Sequence, residues 1–455
     1  MVAEAPGAWP RTSPALNDDA SPRFDVVAYL TIWLVLLFGI NARQVVGPLG
    51  AIGSPALLVA VPALLLWAGG WILPASGLDR RPHPLRPVLL LYLWTLLASF
   101  VVAYGRPLSE LEASGALRAL VSSLGLVGVA LLVADGVGSL RRLETLLRRV
   151  VVGVTFVAVL GLLQFVTGRP LQPTMPGLSW NSELLAVVER SIFGRPSATT
   201  MHPIEFSVVT AAALPLAVHF ALYSRRLATR RNMAVLTALL VVAVPLSISR
   251  SGLVALGAAM LVASFAWSWR RRLQAALLSV IAVPVLWLGI PGLVGTLIGL
   301  FTGTEDDPSI QARLDRGPSV MALIRQRPWL GLGNGTWSVE EYFLVDNELW
   351  VTTLEMGILG AILTALVFVT GVVAGILIKH LPGVDERTGH LAHAAAASIV
   401  GITVSFLTFD AFHYRIVTGM LFVLIGAVGA LWRLVGGLDA ARAVSAARAA
   451  VSRGR

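Results

Sequence analysis

Long apolar runs, broken by short turns that carry most of the arginines, set the pattern of this chain. Each run approaches the roughly 20 residues a helix needs to cross about 30 Å of hydrocarbon. The runs lie at about 25–40, 53–73, 87–104, 116–134, 150–167, 204–222, 233–248, 252–268, 274–300, 347–378, 394–410 and 416–434. They predict an all-α polytopic membrane protein of about twelve transmembrane helices, because helices satisfy their backbone groups internally in lipid. An even number of spans returns both chain ends to one side. Residues 1–23 are polar and lack the basic, apolar, small-residue order of a cleaved signal, so a disordered tail is expected there. Residues 24–435 are expected to form one transmembrane domain and 436–455 a basic tail. Two connections are long, 168–203 and 301–346, and long loops tend to carry function.

Charge orients the bundle. Arg80, Arg81 and Arg86 lie in the second connection, Arg141, Arg142, Arg148 and Arg149 in the fourth, and Arg225, Arg226, Arg230 and Arg231 in the sixth. With Arg270, Arg271, Arg272, Lys379, Arg387 and the two tails, 23 of the 35 basic residues fall on one side. The positive-inside rule makes that side cytoplasmic, giving N-in and C-in in the cytoplasmic membrane. The net charge of +10 then reflects topology, and no nucleic-acid partner is inferred. At 56% hydrophobic and 13% charged, with a mean hydropathy of +0.78, the chain is not a soluble domain. It has no cysteine, which removes disulfides, thiol chemistry and thiolate metal sites.

The remaining 12 arginines are external, and several gather in the two long loops. In the first loop, Arg190 precedes Gly194-Arg195-Pro196, a turn that presents a guanidinium suited to gripping a phosphate with two hydrogen bonds. His202 stands before Pro203 at the start of a span, as a donor to a sugar or phosphate or simply as a structural histidine. Ser247-Ile248-Ser249-Arg250-Ser251-Gly252 is a small polar hairpin between two apolar runs, an arrangement with few structural explanations. In the second loop, Arg313 and Arg316 precede a helix expected over 319–327, and Pro328 to Gly335 follows. Its glycines lack the strand and Walker lysine of a nucleotide site, so they read as a turn packed on the membrane face. The acids Glu305 to Asp307 read as a solvated helix start, and no metal site is inferred.

Asp346-Asn347-Glu348 opens the longest apolar run, with Glu355 one face-repeat further on. A carboxylate at Asp346 would cap that helix beside its positive end, and capping alone would explain it. Ionisable groups near a bilayer are nonetheless functional candidates. Asp410, His413 and Arg415 close the last external turn, either joining that constellation or forming an Asp–Arg pair at a helix end.

Three elements in order resemble the O-antigen ligase and O-antigen polymerase family, bacterial GT-C-type membrane glycosyltransferases. They are the Ser247–Gly252 turn around Arg250, the approach from Arg313 to Arg327-Pro328-Trp329-Leu330-Gly331-Leu332-Gly333, and Asp346-Asn347 nine residues before Gly357-Ile358-Leu359-Gly360. Ligases of that family typically have histidine where Asp346 stands, a departure that bears more on lipopolysaccharide ligation than on the family. The resemblance covers the chain from about residue 150. It implies glycan transfer or polymerisation from a polyprenyl-diphosphate-linked donor to a saccharide or lipid-linked acceptor, at the outer face of the membrane. No cofactor or metal would be required, and a chain-length regulator is a further expected partner. Arg195 and Arg250 would steady the leaving diphosphate and Asp346 would orient or deprotonate the acceptor. His202, Asn347, Arg313, Arg190, Glu355, Asp410 and His413 would bind substrate. A twelve-span transporter or lipid-linked-oligosaccharide flippase is the alternative, but its coupling residues belong near mid-bilayer, where this sequence offers only His219 and Glu355.

Overall fold

In the computed structural model, residues 25–73, 78–169, 171–180, 194–302 and 308–453 are described, so the 1–23 tail, Arg190 and Glu305 to Asp307 lie outside them. Helices α1 (Val26–Gly39), α2 (Pro55–Ile72), α3 (Leu85–Tyr104), α4 (Glu110–Gly136) and α5 (Leu140–Thr167) come first. Then follow α6 (Pro203–Tyr223), α7 (Leu227–Leu246), α8 (Arg250–Ser264), α9 (Trp269–Gly289) and α10 (Leu293–Thr302). The last four are α11 (Pro308–Gln326), α12 (Glu348–Leu377), α13 (Glu386–Ser405) and α14 (Arg415–Arg453). Two-residue strands, β1 (Gln44–Val45) and β2 (Ser179–Trp180), pair antiparallel and tie the first connection to the first long loop.

Nine described helices are long and apolar enough to cross a membrane; α1, α8 and α10 are shorter apolar helices. The run at 274–300 is not one helix. It stops at Gly289 and restarts at Leu293, because Gly292 adopts φ +87° behind Pro291. The helix expected over 319–327 already begins at Pro308.

The core is built on α14 and α6, which are buried along most of their apolar length. Without a hydrophobic drive between helices in lipid, close backbone approach matters, and small residues permit it. A methyl on Gly426 of α14 would lie 2.5 Å from the Ala130 carbonyl oxygen of α4. By contrast α9 buries none of its residues.

The bundle has two chemically distinct ends. At one, buried Asp135 accepts from Arg86, Trp67 and His83 at 2.7 to 2.8 Å, and buried Arg433 binds Asp79 and the carbonyls of Ala134 and Val137. Arg148 and Arg387 share Glu144 there. These are the arginines that the charge pattern places inside, and α1 begins and the membrane part of α14 finishes at this end. The other end gathers the two long loops.

Candidate functional site

The segment from Ser405 to Val417, joining α13 to α14, is the hub of the second end. Glu348, the first residue of α12, donates its backbone N–H to the Phe406 carbonyl (2.8 Å) and accepts the Phe412 N–H on its buried carboxylate (2.9 Å). From the opposite side, Glu205 in the first turn of α6 accepts the N–H groups of Ile416 and Val417, at 2.7 and 3.2 Å, and that of Met201. One carboxylate therefore holds two of the first N–H groups of α14, which have no intrahelical partner, together with that of Met201 just before the α6 cap.

The N-termini of α6, α8, α12 and α14 consequently meet at this segment. His202 caps α6, accepting the Ile204 N–H on Nδ1 at 3.1 Å, which assigns the proton of the neutral ring to Nε2. Its ring meets Tyr414 edge-on, with centroids 6.3 Å apart. Ser249 caps α8, and the Ser251 hydroxyl bonds that of Thr408 at 2.8 Å. Asn347, not Asp346, caps α12: its Oδ1 accepts the Trp350 N–H while its Nδ2 donates to the Leu407 carbonyl. Capping is thus done by the amide, and the half-buried Asp346 carboxylate has another setting, with its charge bearing on the Tyr414 phenol.

Arg195 joins the same end. It is half-buried, not exposed as its turn suggests, and its Nε donates to the Ser247 carbonyl at 3.2 Å, in the turn that carries Arg250. The two described non-glycine residues with positive φ are Ala198 (+50°) and Ile248 (+47°), one in each of these arginine turns. Such geometry costs about 1–3 kcal/mol per residue and tends to collect at functional sites. Gln164 of α5 stabilises the first turn by accepting the N–H groups of Ser197 and Ala198.

Asp410 pairs with His413 at 3.1 Å, while Arg415 turns away to the carbonyls of Ala42 and Ala51, so the Asp–Arg pair is not formed. The His413 ring is about half exposed, and the desolvation it does suffer is outweighed by the bond to Asp410 and the negative charges of Asp410, Glu355 and Glu348, which raise its pKa to about 9. Burial, with the charges of Asp410, Glu205 and Asp346, pushes the Tyr414 phenol up.

The second long loop is seated on a break in α12. Gly357 has φ +68° and ψ −175°, and the bonds lost there are replaced by the loop. Leu332 and Gly333 donate to the carbonyls of Leu354 and Glu355 (3.0 and 2.7 Å), and Ile358 donates to Pro328 (2.8 Å). The loop glycines form a turn packed closely on α12: a methyl on Gly331 would lie 2.5 Å from Glu355 backbone atoms. Glu355 is spent on this loop, its buried carboxylate accepting the Trp337 N–H at 3.0 Å. Arg316 holds the Leu344 carbonyl, and the Tyr342 hydroxyl donates to Glu112 of α4, steadying the approach to Asp346. Arg313 sits early on α11, and its side chain lies outside the described ones.

Asp346, Asn347, Arg195, Arg250, His202, Asp410 and His413 thus share one end, linked through the α13–α14 segment. Glu205, Tyr414 and Arg43, whose guanidinium binds the Met201 carbonyl at 2.6 Å, belong with them and carry no local sequence motif. Among the described residues, no three His, Asp or Glu side chains gather as a metal would require.

Residues 234–365 match a family model described as O-antigen ligase. That segment, under a third of the chain, is what is similar to the family. No curated protein matches it. The O-antigen ligase match takes in the Arg250 turn, the glycine loop, Asp346 and the break of α12. Arg195, His202, Glu205 and the α13–α14 segment lie outside it, so the site is completed by helices beyond the matched segment. Its nine described helices long and apolar enough to cross a membrane make the chain a multi-pass membrane protein.

Proposed function

We propose that the protein transfers or polymerises glycan from a polyprenyl-diphosphate-linked donor to a saccharide or lipid-linked acceptor, at the outer face of the cytoplasmic membrane. The observation that carries this reading is the meeting of four helix N-termini with two arginine turns at one end of the bundle. Helix N-termini attract anions, and a diphosphate is the anionic part of such a donor. Arg250 and Arg195 take the charge that develops on the departing diphosphate. Asp346 takes the proton of the acceptor hydroxyl as that oxygen bonds to the anomeric carbon and the bond from that carbon to the diphosphate oxygen breaks, releasing the diphosphate. Asn347 and His202 flank the acceptor as hydrogen-bonding groups, and protonated His413 adds positive charge nearby. The reaction needs no metal in this scheme, and a chain-length regulator would act from outside it.

The break in α12 is also a transporter feature, since interrupted helices line substrate paths. Here the freed backbone groups are bonded to the glycine loop instead, which favours surface chemistry over passage. The test is purified protein with a lipid-linked oligosaccharide. A ladder of products indicates polymerase activity and a single addition indicates a ligase. Movement of intact donor across a vesicle with no new glycosidic bond would replace this reading with the flippase one. Turnover lost in EDTA and restored by Mg²⁺ or Mn²⁺ would remove the metal-free scheme.

A further inference from the structure

A cavity of about 530 Å³ opens between α1 and α5 at the end of the bundle opposite the candidate site. Its wall is apolar, including Ile32 and Val35, which are 59% and 64% exposed on the outer face of α1. Its rim carries Arg142 and Arg149 of α5 with Thr31 and Asp25 of the first helix and its cap. Arg142 pairs with Asp25, and Arg149 donates to the Thr31 hydroxyl. Each guanidinium has five N–H donors, so these contacts leave capacity on both. Two cations against one carboxylate keep the rim positive, and the N-terminus of α5 at Leu140 adds to it.

Charge at the rim and apolar surface running on toward mid-bilayer match the division of a phospholipid into headgroup and acyl chain. The arginines lie on the side that the positive-inside rule assigns to the cytoplasm, where basic pockets between helices bind anionic headgroups. A soluble phosphate would have no use for the Ile32 and Val35 wall, and a zwitterionic lipid would bring its own cation against Arg142. These residues lie at the end opposite the candidate site and outside the O-antigen ligase match. We propose that this cavity binds an anionic phospholipid, its phosphate on Arg142 and Arg149 and an acyl chain along Ile32 and Val35.

The test uses the full-length protein in neutral detergent, titrated with dioleoylphosphatidylglycerol or dioleoylphosphatidylcholine and read by native mass spectrometry. Phosphatidylglycerol should be retained preferentially. Arg142→Gln with Arg149→Gln should weaken it about thirtyfold, a factor of roughly five for each arginine. Val35→Trp fills the wall while keeping both arginines, and it should also lose retention, which keeps the test decisive if the double variant does not fold. Equal retention of the two lipids overturns the proposal. So does undiminished phosphatidylglycerol binding in Val35→Trp, or inorganic phosphate displacing the lipid from this cavity.

Discussion

Replacing Gly357 by alanine tests whether the site depends on the broken helix. The residue sits at φ +68° and ψ −175°, a region that costs any other residue about 1–3 kcal/mol. An added methyl would also stand 2.2 Å from the Trp329 carbonyl carbon and oxygen and 2.4 Å from the Leu330 nitrogen. Those are backbone atoms, so the loop itself must retreat. The two hydrogen bonds nearest the clash run from Ile358 to Pro328 and from Leu359 to Trp329. Losing them removes a further ~1–3 kcal/mol at about 0.5–1.5 kcal/mol each. A total of roughly 2–6 kcal/mol is expected, concentrated at the loop that leads to Asp346. The measurements are thermal unfolding in detergent and glycan transfer at a temperature where both proteins are folded. Gly357→Ala should lower both, with transfer falling further. Gly257→Ala is the control, because Gly257 is on α8 with nothing within 4 Å, and alanine there favours the helix by up to about 1 kcal/mol. Wild-type melting and turnover in Gly357→Ala would refute the reasoning.

Three further outcomes are expected. Arg250→Ala and Asp346→Ala should each reduce transfer about 10²- to 10³-fold with membrane insertion intact, and Arg250→Lys should rescue little; full activity in either alanine variant removes that residue from the mechanism. His413 has its pKa raised to about 9 from near 6.5, so its contribution to stability is complete below about pH 6.5 and is lost as pH rises through 9. Melting curves across that window should lose this slope in His413→Gln, and an identical slope in both proteins contradicts the assignment. Asp135→Ala strands Arg86 and His83 at the far end and should cost about 3–5 kcal/mol, with unchanged turnover per folded molecule; a specific loss of turnover would tie that cluster to catalysis.

How far the sequence carried the interpretation follows from the range of each interaction. Helices were legible because hydropathy is local, and the Arg250 turn, the glycine loop and Asp346 were legible as a spaced set. The break at Gly357 was not, since it lies inside a continuous apolar run and its partner, Pro328 to Gly333, is in another loop. Pro291-Gly292 did announce the end of α9, but the apolar residues on either side masked it. Asp346 looked like the cap because carboxylates favour helix starts, yet Asn347 reaches both the Trp350 N–H and the Leu407 carbonyl. No local pattern singles out Glu205: its bonds to Ile416 and Val417 cross more than 200 positions. Tyr414 and Arg43 acquire their surroundings in the same long-range way.

If the diphosphate binds where the four helix starts converge, part of its grip would come from the helix dipoles, a property of the chain's path, since His202, Ser249, Asn347 and Glu205 already hold N–H groups of those first turns. A helix dipole is not removed by changing one side chain, so weak pyrophosphate retention should outlast the loss of either arginine. Under drift, such a frame would keep hold of the common leaving group while the surrounding side chains changed which sugar is joined to which.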